Sequence, residues 1–489
     1  MKVVTRIAPS PTGLLHCGTL RTALYNYLFA KKYGGVFYLR IEDTDQKRFV
    51  EGAEEYIKKS FDWAGFQPDF SPWKPGTGQM AKMRQSERDY SHHINYLLSN
   101  DLAYYAFDSE GDLAAARAAD PHFAYSAQIR HKMKNSISLV KEETQALLNS
   151  GAPYVIRFKT PQGVDVTFND LIRGKVSFNS STMDDKVLVK ANGIPTYHLA
   201  SVCDDHDMET THVIRGEEWL PSTPLHILLY EAFGWQAPEF AHLPTILRPD
   251  GKGKISKRDA LKYDLPIFPF GGEAEDDKGN VVKYKGFKDT GFEPDAMLNF
   301  LLLLGWAPSD DREIFSLDEM IDTFSLDRVH KAGARFDIKK AEWLNGHYLQ
   351  SKSATDLISS LNIDTAAYSD DKIQQIVELA KARSTFKSDL QKVAAIFAPD
   401  FKIDQTACSD QFKLVMSSFL NEMVSWESPA MLKEELGQIC QNSGVKPGKI
   451  MPDLRKALCA GIPGPDLFIT MSVLGETQTK KRISQFIDN

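Results

Sequence analysis

Two runs of residues combine types and spacing that could do chemistry. Pro9-Ser10-Pro11-Thr12-Gly13-Leu14-Leu15-His16-Cys17-Gly18-Thr19 sets a histidine two residues before a glycine, at a turn between an apolar strand and a helix. An imidazole there, with the backbone N–H groups of the helix start, can face phosphate oxygens. A tight turn bearing a surface histidine is the plain alternative. Arg248-Pro249-Asp250-Gly251-Lys252-Gly253-Lys254-Ile255-Ser256-Lys257-Arg258 holds five cations and one anion in eleven residues, around two glycines. Such a loop can close over a polyphosphate and neutralise charge that develops in a transition state. Charge runs are also commonly no more than solvated loops. The GxGxxG dinucleotide fingerprint is absent, which argues against a nicotinamide enzyme.

The elements around these runs predict an α/β fold. Val3 to Ile7 and Val36 to Ile41 read as strands flanking a helix with the apolar face Leu20, Ala23, Leu24, Tyr27 and Leu28. Strand, crossover helix and strand imply a parallel pair, the opening of a Rossmann-like doubly wound sheet. Ligands in such sheets sit beyond the carboxyl ends of the strands, where the loop after Ile7 and the acidic run Glu42-Asp43-Thr44-Asp45 both fall. A second α/β stretch opens near Gly193. Thr196 to Ala200 and Thr211 to Arg215 read as strands, and Ser222-Thr223-Pro224 as a helix start with proline in its first turn. Residues 109–190 look like an insertion, with strands at Tyr154 to Phe158 and Val187 to Val189. Gly271 to Gly291 reads as a loop or exposed hairpin turning at Lys278-Gly279-Asn280. From about residue 331 the chain reads as all-α: residues 347–436 contain no glycine, and helical spacing recurs, as in Ile373, Ile376, Leu379 and Ala380.

Composition bounds the classes. The 489 residues carry 58 Lys+Arg against 65 Asp+Glu, a net charge of -7, with 42% hydrophobic and 25% charged residues. That is the balance of a soluble globular protein of about three domains rather than a disordered chain. No apolar run approaches the roughly 20 residues that cross a bilayer, and no secretion leader is evident, so a cytoplasmic protein without a membrane partner is expected. Five scattered cysteines (Cys17, Cys203, Cys408, Cys440, Cys459) offer neither a disulfide framework nor a zinc cluster. The mild acidity argues against indiscriminate nucleic-acid binding, and DNA is not expected, while RNA can still be held on local basic faces.

Taken together, the two runs have the order and separation found in class I aminoacyl-tRNA synthetases. His16-Cys17-Gly18-Thr19 resembles the "HIGH" element, with Cys17 replacing the usual branched aliphatic residue, and Lys254-Ile255-Ser256-Lys257-Arg258 resembles "KMSKS". Arg6 to Gly13, Arg40-Ile41-Glu42-Asp43-Thr44-Asp45, Gln85-Ser86-Glu87-Arg88, Asp170 to Gly174, Gly193 to His198 and Val213 to Glu218 narrow the resemblance to glutamyl-tRNA synthetases of bacterial type. Phe336-Asp337, Trp343 to Tyr348, Pro452 to Leu458 and Val473-Leu474-Gly475 extend it over nearly the whole chain, most weakly between 350 and 440.

The resemblance implies five segments: a catalytic domain in two halves, 1–108 and 191–258, an acceptor-binding insertion at 109–190, a stem-contact segment at 259–330 and a helical anticodon-binding region at 331–489. It implies ATP-dependent activation of L-glutamate to glutamyl adenylate, then transfer to the terminal adenosine of tRNA-Glu. Glutamate needs cations opposite its carboxylates and an anion opposite its ammonium. Arg6 and Arg215 follow β-branched runs and can project from strand ends, and Glu42 supplies the anion. For either arginine alone a structural ion pair is the commoner role. By resemblance, Ala8, Ser10 and Tyr197 complete the glutamate pocket. Glutaminyl-tRNA synthetases carry a neutral residue where Arg215 stands, so glutamate is favoured over glutamine. A free-standing HIGH-type nucleotidyltransferase would not need the 230 or so residues beyond the lysine loop.

By the same resemblance His16 and Lys257 serve the phosphates with Lys254 and Arg258 in support, and Gly18, Thr19, Glu217 and Ser256 belong to the ATP site. Mg2+ is expected with ATP, and zinc is not. Lys381, Arg383 and Arg455, with Lys387, are the candidate tRNA contacts of the helical region. The resemblance implies a monomer and leaves open whether tRNA-Gln is also charged.

Overall fold

The computed structural model describes residues 2–275, 278–359, 361, 368–398, 400–422, 426 and 428–488. They form two compact units, one of residues 1–290 with 297–338, the other of 291–296 with 339–489.

In the first unit the opening crossover is present. Strand β1 (Val4–Ile7) leads through a loop into helix α1 (Cys17–Lys32) and strand β2 (Val36–Leu39), which pairs parallel to β1 with Val4 opposite Val36. The return after α1 is tight. A Cβ on Gly35 would lie 2.2 Å from the Val3 carbonyl oxygen, so only glycine lets the chain turn there and donate the Val36 N–H to Val3 at 2.8 Å. Strand β3 (Asp165–Asp170) forms a six-residue antiparallel ladder with β4 (Gly174–Asn179). Helix α2 (Tyr197–Asp207), strand β5 (His212–Gly216), helix α3 (Thr223–Phe233) and strand β6 (Glu239–Leu243) complete the second half. β5 and β6 are parallel, and β3 joins β6 through Asp170 opposite Phe240. Thr211 ties the halves: its N–H donates to the Val4 carbonyl at 3.0 Å, and its hydroxyl accepts from the Val4 N–H at 2.8 Å. Arg6 of β1, Glu42 beyond β2 and Arg215 of β5 line one cavity.

Several expectations change. Thr196 to Ala200 is not a strand: Thr196 is extended and Tyr197 begins α2, whose buried side includes Leu199, Ala200, Val202 and Cys203. Sheet pairing also crosses the limits expected for the insertion. Ala103–Ala106, before residue 109, pairs with Val155–Phe158, while β3, from inside the insertion, extends the catalytic sheet. Near the other end, Ala334–Arg335 pairs parallel with Ile246–Leu247, so residues just past 331 still belong to the first unit. The Gly-rich stretch, expected as a loop or an exposed hairpin, is the latter, with Gly272–Glu275 antiparallel to Val281–Tyr284. Helix α4 (Lys257–Tyr263) follows the lysine loop.

Past residue 338 every described element is helical, from Ile338–Ser351 to Leu467–Asp488, the last kinked at Gly475. One apolar cluster, including Leu390, Phe412, Leu454 and Ile483, forms the core of this unit. No helix among the described residues is long and apolar enough to cross a membrane.

Candidate active site

A cavity of about 450 Å³ opens at the carboxyl edge of the sheet. Arg6, Ala8 and Ser10 line it from the end of β1, Gly18 and Thr19 from the first turn of α1, Glu42 from beyond β2, Tyr197 from α2 and Arg215 from β5. Thus all six expected glutamate contacts and two of the expected ATP contacts face one space.

His16 lies beside it as the N-cap of α1. Its Nδ1 accepts the Gly18 N–H at 3.0 Å, so the proton of the neutral ring sits on Nε2, which is left to donate outward. Burial, reinforced by the positive charge of Lys254 and Lys257, lowers the His16 pKa to about 4. The imidazole is therefore a neutral donor at pH 7, at the positive end of a sixteen-residue helix. Cys17 is buried and its thiol pushed up to about 12, which removes it as a nucleophile.

Beneath the cavity floor lies an ion-pair network. Arg6 donates from Nε and Nη2 to Asp205 at 3.1 Å each, and Arg40 reaches Asp205 at 2.9 Å, Glu42 at 3.2 Å and Asp204 at 3.4 Å. Arg88 pairs with Asp204 at 2.7 Å. Burial raises Glu42 to about 7 even against the pull of Arg40 and Arg6. Asp205, equally buried, is held below the ordinary carboxylate range because two arginines outweigh its desolvation. Arg40 stands inside the motif Arg40 to Asp45, but no sequence signal marks Asp204 and Asp205: Asp205 is separated from Arg6 by 199 residues, and nothing local announces their meeting.

Arg215 is arranged differently. Its Nε donates to His242 Nε2 at 3.1 Å, Nη1 to the Tyr197 hydroxyl at 3.0 Å, and Nη2 to the Thr223 hydroxyl at 2.9 Å. Longer contacts run from Nη1 to His226 Nδ1 at 3.4 Å and from Nη2 to the Trp219 carbonyl at 3.3 Å. Arg215 is 5% exposed, yet none of these partners carries negative charge. A buried cation held only by neutral acceptors favours an anion in the cavity it faces.

The lysine loop bears on the same edge. Ser256 caps α4, its hydroxyl facing Asp259 while the Asp259 carboxylate accepts the Ser256 N–H at 2.9 Å. A Cβ on Gly13 would lie 4.0 Å from Lys257 Nζ, which sets that ammonium against the loop before His16. Lys254 pairs with Glu218 at 3.4 Å. His16, Lys254, Ser256, Lys257 and Arg258 are not among the residues that line the cavity itself. Nor is Glu217: one carboxylate oxygen accepts the Thr245 N–H at 2.6 Å and the other is held by Arg173, so it braces the backbone before the lysine loop, while Glu218 lines the cavity. Among the described residues no three His, Cys, Asp or Glu side chains are grouped to hold a metal ion.

In the helical unit the expected tRNA contacts separate. Lys381 is 9% exposed, and its ammonium donates to the Lys352 carbonyl at 2.7 Å and to Glu378 at 3.0 Å, so it is spent within the fold. Lys387 pairs with Glu293 at 3.0 Å. Arg455 is half-buried and donates to the carbonyls of Ile462 (3.3 Å) and Pro465 (3.1 Å), holding the loop before the last helix. Arg383 is exposed beside Gly464 of that loop.

The family model described as "tRNA synthetases class I (E and Q), catalytic domain" matches residues 2–265 and 277–343, and one described as "Anticodon binding domain" matches 346–487. A protein of Amoebophilus asiaticus named glutamate--tRNA ligase is 44% identical over 500 residues, covering 98% of this chain and 96% of its own length. The chain belongs to the glutamate–tRNA ligases. A second relative so named, from Flavobacterium johnsoniae, is 43% identical over 99% of both chains. The crystal structure of a glutamate tRNA ligase from Elizabethkingia meningosepticum, in complex with its amino acid, superimposes with a TM-score of 0.90 at 44% identity, covering 100% of each chain. The enzyme from Elizabethkingia anophelis gives 0.88 at the same identity and coverage. As a member of this family the chain is a class I ligase with a mixed α/β catalytic part and a helical anticodon-binding part.

Proposed function

We propose that the cavity binds L-glutamate between Arg215 and Glu42, activates it with ATP and passes the glutamyl group to the terminal adenosine of tRNA-Glu. The observation that carries this reading is the buried Arg215, whose partners are all neutral. Glutamate's side-chain carboxylate takes the place of its two longest contacts, to His226 and the Trp219 carbonyl. Glu42, ionised, receives the α-ammonium. Ala8 and Ser10 bound the substrate on the β1 side, with Arg6 fixed by Asp205 and offering Nη1 to the α-carboxylate. A neutral glutamine side chain would leave Arg215 uncompensated, which disfavours the glutaminyl reading.

The chemistry needs no nucleophilic side chain. The glutamate α-carboxylate attacks the α-phosphorus of ATP, an α-phosphate oxygen bond breaks, and pyrophosphate leaves with that electron pair. A ribose hydroxyl of the tRNA then attacks the activated carbonyl and AMP departs. Positioning and charge neutralisation supply most of the barrier reduction. His16 donates its Nε2–H to a phosphate oxygen. The N–H groups at Gly18 and Thr19 add the helix start, and Lys257, aided by Lys254 and Arg258, offsets charge on the departing pyrophosphate. Magnesium brought with ATP would add to the neutralisation of phosphate charge that Lys257, Lys254 and Arg258 provide. Arg383, beside the loop that Arg455 holds, meets the tRNA backbone.

The test is ATP-dependent charging of purified tRNA-Glu and tRNA-Gln with labelled glutamate. Label on tRNA-Glu is expected. Label on tRNA-Gln as well would add a non-discriminating activity, and label on neither would end the proposal.

A further inference from the structure

Among the partners of Arg215 is a residue that does not line the cavity. His242, on β6, is fully buried. Its Nε2 lies 3.1 Å from Arg215 Nε and 3.1 Å from the Thr223 hydroxyl, and its Nδ1 lies 2.6 Å from Asp170 Oδ2. Asp170, at the end of β3, also accepts the backbone N–H groups of Ile172 (3.0 Å), Arg173 (2.9 Å) and His242 (3.1 Å). A carboxylate so surrounded can only accept, and those donors outweigh its burial to keep it ionised. The ring proton must then sit on Nδ1, and Nε2 presents a lone pair to Arg215. Burial keeps the imidazole itself neutral.

We propose that the Asp170–His242 pair is a specificity-determining positioning device, aiming Arg215 at the anionic side chain of the amino-acid substrate while withholding a carboxylate from direct contact with it. The counter-charge stands one residue behind. A carboxylate in the place of His242 would compensate the guanidinium within the protein and remove its demand for an anionic ligand. A donor there would push Arg215 away. A neutral acceptor whose tautomer is locked from behind does neither. Thr223, which accepts from Nη2 of Arg215 and faces the same Nε2, fixes the plane of the guanidinium. This inference rests on the proposed contact between Arg215 and glutamate.

The experiment compares His242→Asn, His242→Gln, Asp170→Asn and Arg215→Gln in the full chain, reading the KM for glutamate, the KM for ATP and the preference for glutamate over glutamine in tRNA charging. Asparagine can serve only the Nδ1 position and keeps Asp170 partnered, whereas glutamine can reach the Nε2 position and accept from Arg215. A positioning role predicts that His242→Asn raises the glutamate KM about tenfold and narrows the preference for glutamate. ATP KM should hold, and His242→Gln should stay within a few-fold of the parent. Asp170→Asn lets Nδ1 become the acceptor, moves the proton to Nε2 against Arg215, and should match His242→Asn. A merely structural role predicts the reverse order, with Asn the milder change, and that order would overturn the proposal. If Arg215→Gln raises the glutamate KM while both Asn variants do not, only the positioning role of the Asp170–His242 pair fails. If Arg215→Gln leaves it unchanged, the glutamate pocket itself is misassigned.

Discussion

At the scale of single residues the cavity trades stability for binding. Glu42 is buried and its pKa raised to about 7, whereas an unfolded glutamate titrates at about 4.3. The folded chain therefore holds this proton over a window where the unfolded chain has lost it, and stability falls as pH rises from about 4.3 to about 7. Replacing the carboxylate by an amide removes that penalty. We expect Glu42→Gln to melt at a higher temperature than the parent at pH 8, and the difference to shrink at pH 4.5. The same change should raise the KM for glutamate and flatten its pH profile. In the parent, that KM should rise up to about tenfold from pH 8 to pH 6 as Glu42 takes up a proton. A parent profile flat over this range would show that Glu42 is not the ammonium's partner. Lys257 belongs to the same scale but to the other substrate. Lys257→Ala should cut glutamyl-tRNA formation by about a hundredfold or more, with tRNA affinity little changed. An unaltered rate would remove the lysine from the transition state.

At the scale of elements, what sequence could show depended on whether a residue's partner is near in the chain. The β1–α1–β2 crossover was legible because each member is patterned on its own, and the edge where ligands gather followed from the topology. Thr196 to Ala200 misled because five residues cannot separate a period of two from one of 3.6. The helix shows itself only through Cys203, where its buried side continues. The relay behind Arg215 was illegible for a stronger reason: Asp170 and His242 are 72 residues apart and meet only because β3 and β6 are paired. Lys381 reads as a candidate phosphate contact because helical spacing alone does not reveal the Lys352 carbonyl and Glu378 that claim its ammonium. The lysine loop gives an element-scale test. Helix α4 is only seven residues long and starts on the reciprocal bonds of Ser256 and Asp259. Losing such a cap costs about 1 kcal/mol. Ser256→Ala should thus speed amide exchange in the first turn of α4 about fivefold and raise the KM for ATP, leaving the KM for glutamate near the parent's, while Ser256→Thr restores both. A change in glutamate KM alone would mean that the serine acts in the other half of the site.

At the scale of the molecule, the cavity and the candidate tRNA contacts fall in different units. The cavity and its ion pairs lie in the unit of residues 1–290 and 297–338, and Arg383 and Arg455 in the unit of 291–296 and 339–489. A chain with a net charge of -7 repels a polyanion on average, so RNA must be held by cations that are not spent within the fold. This criterion removes Lys381, which is buried and paired, and makes Arg455 a brace for the loop that it holds. Arg383, exposed beside Gly464 of that loop, meets it. If Arg383 neutralises one tRNA phosphate, its removal releases one fewer counterion on binding. Arg383→Ala should then weaken tRNA binding several-fold and make the slope of log affinity against log salt shallower by about one, whereas Arg383→Lys should keep the slope. Charging at saturating tRNA should be unchanged in both, because the altered charge lies outside the unit that holds the cavity. An Arg383→Ala variant with the parent's salt slope would mean that this arginine reads a base or touches no RNA, and the phosphate contact would have to be sought on another exposed cation of the helical unit.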